Sequence, residues 1–152
     1  MASSLRPGEH APDFQAKDQH GNTVSLSSFR GHPVVLYFYP KDNTLGCAAE
    51  ACSFRDSMTG LRERGIVVLG VSVDSKESHA RFASKYRLNF TLLSDRGKQI
   101  VRAYGVKGLS GTARRVTYFI GPDGIIKHVF SQVNTKTHGA DVLKKLEQSE
   151  LV

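Results

Sequence analysis

The spacing of hydrophobic and polar positions changes several times along the chain, and each change marks an element. Val34-Val35-Leu36-Tyr37-Phe38-Tyr39 is an unbroken β-branched and aromatic run. Such a run, without polar alternation, predicts a strand covered on both faces in the centre of a sheet. Pro40 ends it, and a polar stretch from Lys41 to Thr44 follows. Apolar residues then recur at Cys47, Ala51, Phe54, Met58 and Leu61, at intervals of four, three, four and three. This predicts one face of an amphipathic helix that runs to about Arg64 and is closed by Gly65. Ile66 to Val73 reads as a second apolar strand, and Asp74 or Ser75 as the cap of a helix whose His79, Phe82, Ala83 and Tyr86 share a face. Phe90 to Leu93 reads as a short strand and Lys98 to Tyr104 as a short helix. Beyond a Gly-rich loop, Gly105 to Ala113, the runs Val116 to Ile120 and Ile125 to Phe130 flank Gly121-Pro122-Asp123-Gly124 and read as antiparallel neighbours. A last helix covers about His138 to Gln148.

Ahead of the first long strand, Asp13 to Lys17 and Thr23 to Leu26 alternate around the turn Gln19-His20-Gly21-Asn22, and Ser27 to Arg30 reads as a helical turn ending at Gly31. No repeat, low-complexity stretch or linker interrupts the chain, so residues 1–152 are expected to form one domain. The order β-α-β-α-β-α-β-β-α predicts an α/β fold, a thioredoxin-like sandwich with a central mixed β-sheet and an added N-terminal β-hairpin.

Composition narrows the class. With 152 residues, 39% of them hydrophobic and 23% charged, extended disorder and fibrous architectures are excluded. The run from Val34 to Tyr39 is the longest apolar one, far short of the ~20 residues of a membrane span. Met1-Ala2-Ser3-Ser4-Leu5-Arg6 carries no apolar leader, so the reading is an intracellular, cytoplasmic protein. A balance of 21 Lys and Arg against 14 Asp and Glu gives a net charge of +7 and raises the question of nucleic acid. The basic clusters, Arg62-Glu63-Arg64, Arg114-Arg115 and Lys144-Lys145, are scattered and carry no interleaved aromatics. A basic soluble surface explains them better. Neither metal nor cofactor is indicated. The six histidines are dispersed, His79 reads as a boundary residue of its helix face, and Gly105 to Gly111 lacks the Gly-Lys-Ser/Thr ending of a phosphate loop and reads as a flexible connection near the site.

The chain has two cysteines, Cys47 and Cys52. A domain of this size needs no disulfide staple, and the residues alone leave a catalytic pair and an inert buried pair both open. Cys47 falls just beyond the carboxyl end of the central strand, in the first turn of the following helix, where unpaired N–H groups and the helix dipole favour a thiolate. Acidity alone does not make a fast enzyme. Lowering a thiol pKa from ~8.5 to ~6 raises the thiolate fraction near neutrality only about tenfold or somewhat more, while intrinsic nucleophilicity falls. Groups that stabilise charge in the transition state must supply the rest, and Thr44 offers a hydroxyl on the same loop. Five residues along a helix rise ~7.5 Å and turn ~140°, so the Cα atoms of Cys47 and Cys52 lie roughly 8.7 Å apart. A disulfide wants about 4.4 to 6.8 Å, so a bond between them requires the first turn, or the region around Cys52, to unwind.

The segment from Tyr39 to Asp56, Tyr-Pro-Lys-Asp-Asn-Thr-Leu-Gly-Cys-Ala-Ala-Glu-Ala-Cys-Ser-Phe-Arg-Asp, closely resembles the active-site segment of the peroxiredoxins, in particular the peroxiredoxin Q or bacterioferritin-comigratory-protein group. Gly8 to Phe14, Asn89 to Asp95 and Arg115 to Ile120 resemble the family's opening, middle strand and arginine-bearing strand, so the likeness runs essentially end to end. It implies an atypical two-cysteine peroxidase that reduces hydrogen peroxide and organic hydroperoxides without a cofactor. By the resemblance, Cys47 is the peroxidatic cysteine and becomes a sulfenic acid, and Cys52 is the resolving cysteine that closes an intramolecular disulfide. Thr44 would hydrogen-bond the thiolate and the peroxide, Pro40 would shield the site, and Arg115 would favour the thiolate and hold the polarised peroxide. A guanidinium suits that last task because it stays charged, and strand alternation lets only one of Arg114 and Arg115 reach the site. The group leans to monomers and is recycled by a protein dithiol such as thioredoxin. Leu45 and Ala48 stand where the family more often has Pro and Thr or Ser, which bears on loop rigidity rather than on a reacting group. Some relatives resolve through a cysteine on the next helix, but Arg81-Phe82-Ala83-Ser84 has none here. The competing classes are a thioredoxin-like disulfide oxidoreductase, whose usual Cys-x-x-Cys is absent, and a non-enzymatic anion-binding or nucleic-acid-binding domain.

Overall fold

Alternate residues of the apolar run at 34–39 enter two separate cores, and this is why the run carries no polar position. Val35, Tyr37 and Tyr39 pack into one core, Val34, Leu36 and Phe38 into the other, and all six are at most 2% exposed. The computed structural model describes residues 5–149, so the reading of residues 1–4 as leaderless lies outside the described residues. Within them the chain forms β1 (Gln15–Asp18), β2 (Thr23–Ser25), a 3₁₀ turn (Leu26–Phe29), β3 (Val34–Phe38), α1 (Leu45–Glu63), β4 (Val67–Ser72) and α2 (Lys76–Tyr86). It continues with β5 (Thr91–Ser94), α3 (Gln99–Ala103), β6 (Val116–Ile120), β7 (Ile126–Phe130) and α4 (His138–Gln148).

One sheet of order β2-β1-β5-β4-β3-β6-β7 runs through the molecule. Strands β3, β4 and β5 are parallel, joined by α1 and α2, whereas β6 and β7 at one edge and the β1–β2 hairpin at the other add antiparallel. This is the thioredoxin-like fold with a mixed sheet and an N-terminal hairpin. The first core joins the sheet to α1, α2 and α4 through Phe54, Met58, Leu61, Phe82, Val142 and Leu146. Across the sheet, Ile100 and Val101 of α3, with Tyr104 and Val106, cover the second core. Each large apolar side chain buried in this way contributes about 1.5–3 kcal/mol.

Element ends follow local chemistry. Asp13 is drawn into a turn, because its carboxylate accepts the amides of Phe14 and Ser27, and β1 therefore starts only at Gln15. Ser75 caps α2 by accepting the Ser78 amide at 3.1 Å. Helix α4 lies directly on α1: a Cβ on Gly139 would stand 2.3 Å from the Ser53 carbonyl oxygen, so only glycine permits the approach. The 105–113 loop is no open connection. It is closed by a Lys107–Ala113 bridge and by hydrogen bonds from the Gly108 amide to the Thr112 carbonyl and from the Gly111 amide to the Gly108 carbonyl. His79 is not a boundary residue but fully buried. Among the described residues no helix is long and apolar enough to cross a membrane.

Candidate active site

Thr44 keeps extended backbone, with φ −84° and ψ 158°, and the helix begins at Leu45. Cys47 is the third helical residue, just ahead of the Ala48 amide, which donates to the Thr44 carbonyl at 2.8 Å as the first bond of the helix. Cys47 therefore belongs to the first turn, whose amides a helix leaves unpaired, and its side chain is 1% exposed.

The antiparallel pairing of β3 with β6 brings the second charge. Phe38 lies opposite Val116, so the residue before Val116 falls beside the chain as it leaves β3 toward Cys47. That residue is Arg115. Its Nη2 donates to Cys47 Sγ at 3.4 Å and its Nη1 to Glu50 Oε1 at 2.6 Å. Arg114 turns the other way and donates to the Gly105 carbonyl. Arg115 lies just outside β6, but the alternation expected of a strand still holds. A Cβ on Gly46 would come within 3.3 Å of Arg115 Nη2, so the missing side chain leaves room for the guanidinium.

Glu50 was not singled out by the sequence. It follows Cys47 by three residues and precedes Phe54 by four, so it shares their buried face, and that spacing is the signal that marks it. Its side chain has no exposed surface, and Oε2 has no hydrogen-bond partner among the described residues. Burial pushes the Glu50 pKa up to about 7 against the opposing pull of Arg115. For Arg115, burial disfavours the charge, but the Glu50 carboxylate and the Cys47 sulfur outweigh it and raise the pKa. His138 Nε2 lies 3.9 Å from Glu50 Oε2 and 2.8 Å from Thr117 Oγ1, and burial pushes its pKa down to about 4. It is therefore a neutral imidazole near pH 7.

Of the other residues expected at the site, Thr44 is exposed and its hydroxyl donates to the Lys41 carbonyl at 3.1 Å, not to Cys47. Pro40 is half-buried where β3 gives way to the loop. Cys52 is a half-buried free thiol, and α1 runs unbroken past both cysteines. Leu45 is 93% exposed, whereas Ala48 is buried.

The shifts of Glu50 and His138 give an expected pH response. Glu50 binds its proton more tightly in the folded chain than the ordinary 4.5, so its stabilising contribution is complete below 4.5 and lost as pH rises through about 7. His138 is depressed from 6.5 to about 4, so its contribution is complete above 6.5 and lost as pH falls through about 4. Each is worth roughly 3 kcal/mol, and the two slopes oppose each other over one window. Glu50→Gln is expected to leave the His138 slope alone, so that urea midpoints of the variant fall steeply between pH 6.5 and 4 while those of the unsubstituted protein change less. Parallel profiles would show that Glu50 does not titrate as described.

The AhpC/TSA family profile matches residues 7–129. "Peroxiredoxin Q, chloroplastic" of Triticum aestivum is 46% identical over 150 residues, covering 97% of this chain and 69% of that protein. "Peroxiredoxin Bcp" of Escherichia coli K12 is 42% identical over 151 residues, covering 95% and 97%. Among solved structures, the bacterioferritin comigratory protein of Xanthomonas campestris, described in terms of its alkyl peroxide reduction activity and of trapped intermediate and ligand complexes, superposes with a TM-score of 0.84 at 30% identity, covering 90% of this chain and 91% of that one.

Proposed function

The chain belongs to the AhpC/TSA family, and from that premise we propose how its residues divide the work of a peroxiredoxin, a thiol-dependent peroxidase. The family acts on hydroperoxides and is reduced by thioredoxin-like proteins. In this chain Cys47 is the peroxidatic residue, and the observation that carries the assignment is its sulfur in the first turn of α1 with a guanidinium nitrogen 3.4 Å away. The Cys47 thiolate attacks the terminal oxygen of the hydroperoxide. The O–O bond breaks, the sulfur is oxidised to sulfenic acid, and the departing oxygen takes a proton and leaves as water or alcohol. Arg115 stabilises the charge that develops on that oxygen in a site where water is sparse. Thr44 reaches the peroxide from the loop edge once its hydroxyl leaves the Lys41 carbonyl, and Pro40 screens the sulfur from solvent.

Cys52 is the resolving cysteine. Its thiol displaces water from the sulfenic acid to give the Cys47–Cys52 disulfide, which a dithiol protein such as thioredoxin reduces. Because an intact helix keeps the two Cα atoms about 8.7 Å apart, the first turns of α1 open in this step. Family membership favours this peroxidase over a general disulfide oxidoreductase or a non-enzymatic anion binder. The proposal includes a single domain across the chain, action as a monomer in the cytoplasm on hydrogen peroxide and organic hydroperoxides, and no cofactor.

The test is turnover of hydrogen peroxide and cumene hydroperoxide with thioredoxin, thioredoxin reductase and NADPH. The unsubstituted protein is expected to turn over continuously. Cys52→Ser is expected to consume one equivalent at the unsubstituted rate and then stall, with a sulfenic acid trapped by dimedone. Continuous turnover by Cys52→Ser would remove the resolving role, and no consumption by the unsubstituted protein would remove the peroxidase reading.

A further inference from the structure

A second buried polar cluster lies on the loop between β3 and α1, and the peroxidase chemistry described above does not use it. Asp42, five residues before Cys47, is 7% exposed. Its Oδ1 accepts from the Tyr39 hydroxyl at 2.6 Å, and its Oδ2 accepts from Ser78 Oγ at 2.8 Å and meets His79 Nδ1 at 2.7 Å. The Asp42 amide donates to Asp74 Oδ2 at 2.8 Å, an oxygen that also accepts from Ser72 Oγ at 2.6 Å. His79, with no exposed surface, places Nε2 2.9 Å from the Leu93 carbonyl of β5.

The proton inventory follows from these partners. A carbonyl only accepts, so Nε2 of His79 carries hydrogen, and the short Nδ1 contact with Asp42 holds a second proton between ring and carboxyl. Tyr39 remains a donor, because burial and then the Asp42 charge raise its pKa well above the ordinary range. Asp42, Asp74 and His79 offer ligand atoms within 4.8 Å of one another, yet the contacts above already occupy Asp42 Oδ2, Asp74 Oδ2 and both ring nitrogens. The cluster is a hydrogen-bond hub rather than a cation site. The ionisable groups that face the pair are Tyr39 at the end of β3 and Asp74 ahead of α2, with the Leu93 carbonyl on β5.

The next residue is fixed as well. Asn43 has φ 59°, a left-handed conformation, and its Oδ1 accepts from Lys85 Nζ at 3.1 Å and from the Tyr86 hydroxyl at 3.3 Å. Two consecutive residues of an otherwise exposed loop are thus tied to α2, immediately before Thr44 and the turn that carries Cys47.

We propose that Asp42 and His79 are positioning residues for peroxide reduction, a buried pair that holds the 40–44 loop to α2 and β5 in the place from which Thr44 can turn to the peroxide and Pro40 can screen the sulfur. The proposal rests on the peroxidase reading above. It makes a specific separation. The loop acts on the bound peroxide, whereas the thiolate is favoured by the helix amides and Arg115, so loss of the pair slows reaction with peroxide and spares other reactions of Cys47. It also accounts for the need of a full set of donors: in Asp42→Asn the amide donates to a neutral His79 and to Ser78, still accepts from Tyr39, and keeps every link.

The experiment uses Cys52→Ser protein as parent, so that only Cys47 reacts. Rates with cumene hydroperoxide by stopped flow and rates of alkylation by iodoacetamide are compared for the parent, Asp42→Ala, His79→Leu and Asp42→Asn. The first two variants are expected to react with peroxide at least about tenfold more slowly, since small misplacements of reacting groups cost factors of ten to a hundred, and to be alkylated within about threefold of the parent. Asp42→Asn is expected within about threefold of the parent in both. Unchanged peroxide rates, or equal losses in both reactions, overturn the proposal. Hydrogen exchange on the unsubstituted protein decides where a variant does not fold: the Asp42 amide is expected to be protected like those of β3, and free-loop exchange overturns the anchor. A parent inert to peroxide refutes the peroxidase reading, and the exchange measurement then still decides the anchor.

Discussion

Cys47→Ser is expected to remove hydroperoxide reduction altogether, lowering the rate of the reduced protein by more than about 10⁴-fold, to that of peroxide in buffer. The reaction needs an anion at a soft, polarizable atom, and a thiol supplies one near neutral pH. A serine hydroxyl in the same place stays protonated, because Arg115 and the unpaired helix amides together do not make an alkoxide, and the Glu50 carboxylate on the same guanidinium is engaged with Arg115. Serine is close in volume to cysteine, and the site is packed, at 1% exposure. The fold is therefore expected to survive, with a melting temperature within a few degrees of the unsubstituted protein. Stopped-flow peroxide consumption and a thermal melt separate the two effects, and residual fast consumption by Cys47→Ser would place the nucleophile elsewhere. Cys52 is the other thiol.

Much of the fold was legible because burial erases polarity from whole segments. The 34–38 strand must satisfy two cores, so no polar residue fits, and α1 faces one core, so its apolar residues recur every three or four positions. Boundaries were legible only where a local bond sets them: Ser75 caps α2 by its own side chain, whereas β1 begins later than the alternation suggests because Asp13 spends its carboxylate on two amides. Spacing and family resemblance singled out Cys47, Cys52 and Arg115, and the structure brings Arg115 against Cys47. Glu50 shares the spacing of the buried face of α1 and His79 that of α2, yet a charged residue or a histidine on a helix reads as a surface or boundary position until its partner is known. Glu50 finds Arg115 from 65 residues away, and His79 finds Asp42 from 37. Those partners come from neighbouring strands and loops, and only the sheet order brings them together.

Arg115→Met tests how these hidden partners share one charge. The guanidinium contacts two groups at once, the sulfur at 3.4 Å and Glu50 at 2.6 Å, so its loss should appear twice. In catalysis, removing a preorganised donor aimed at developing charge costs about 10²–10³-fold, and peroxide consumption is expected to fall by that factor. In stability, Glu50 is left as a buried carboxylate without its cation, and at pH 8, above its pKa of about 7, the chain must either ionise it unpaired or hold a proton against the solvent. Breaking one side of a buried pair costs up to about 3–5 kcal/mol, but at pH 8 the variant can keep Glu50 protonated, only one pH unit above the pKa of about 7 it has beside Arg115, so a loss of roughly 1–1.4 kcal/mol is expected. At pH 5.5 Glu50 is protonated in the folded chain, and most of this loss should vanish. The double variant Arg115→Met with Glu50→Gln is expected to regain the stability at pH 8 and none of the activity, because the amide needs no cation while the reacting oxygen still does. Denaturation midpoints at the two pH values and stopped-flow rates decide the matter. Equal destabilisation at pH 5.5 and 8 would mean that Arg115 holds the fold by packing rather than by pairing with Glu50, and activity regained by the double variant would mean that the charge on Arg115 is not what the peroxide requires.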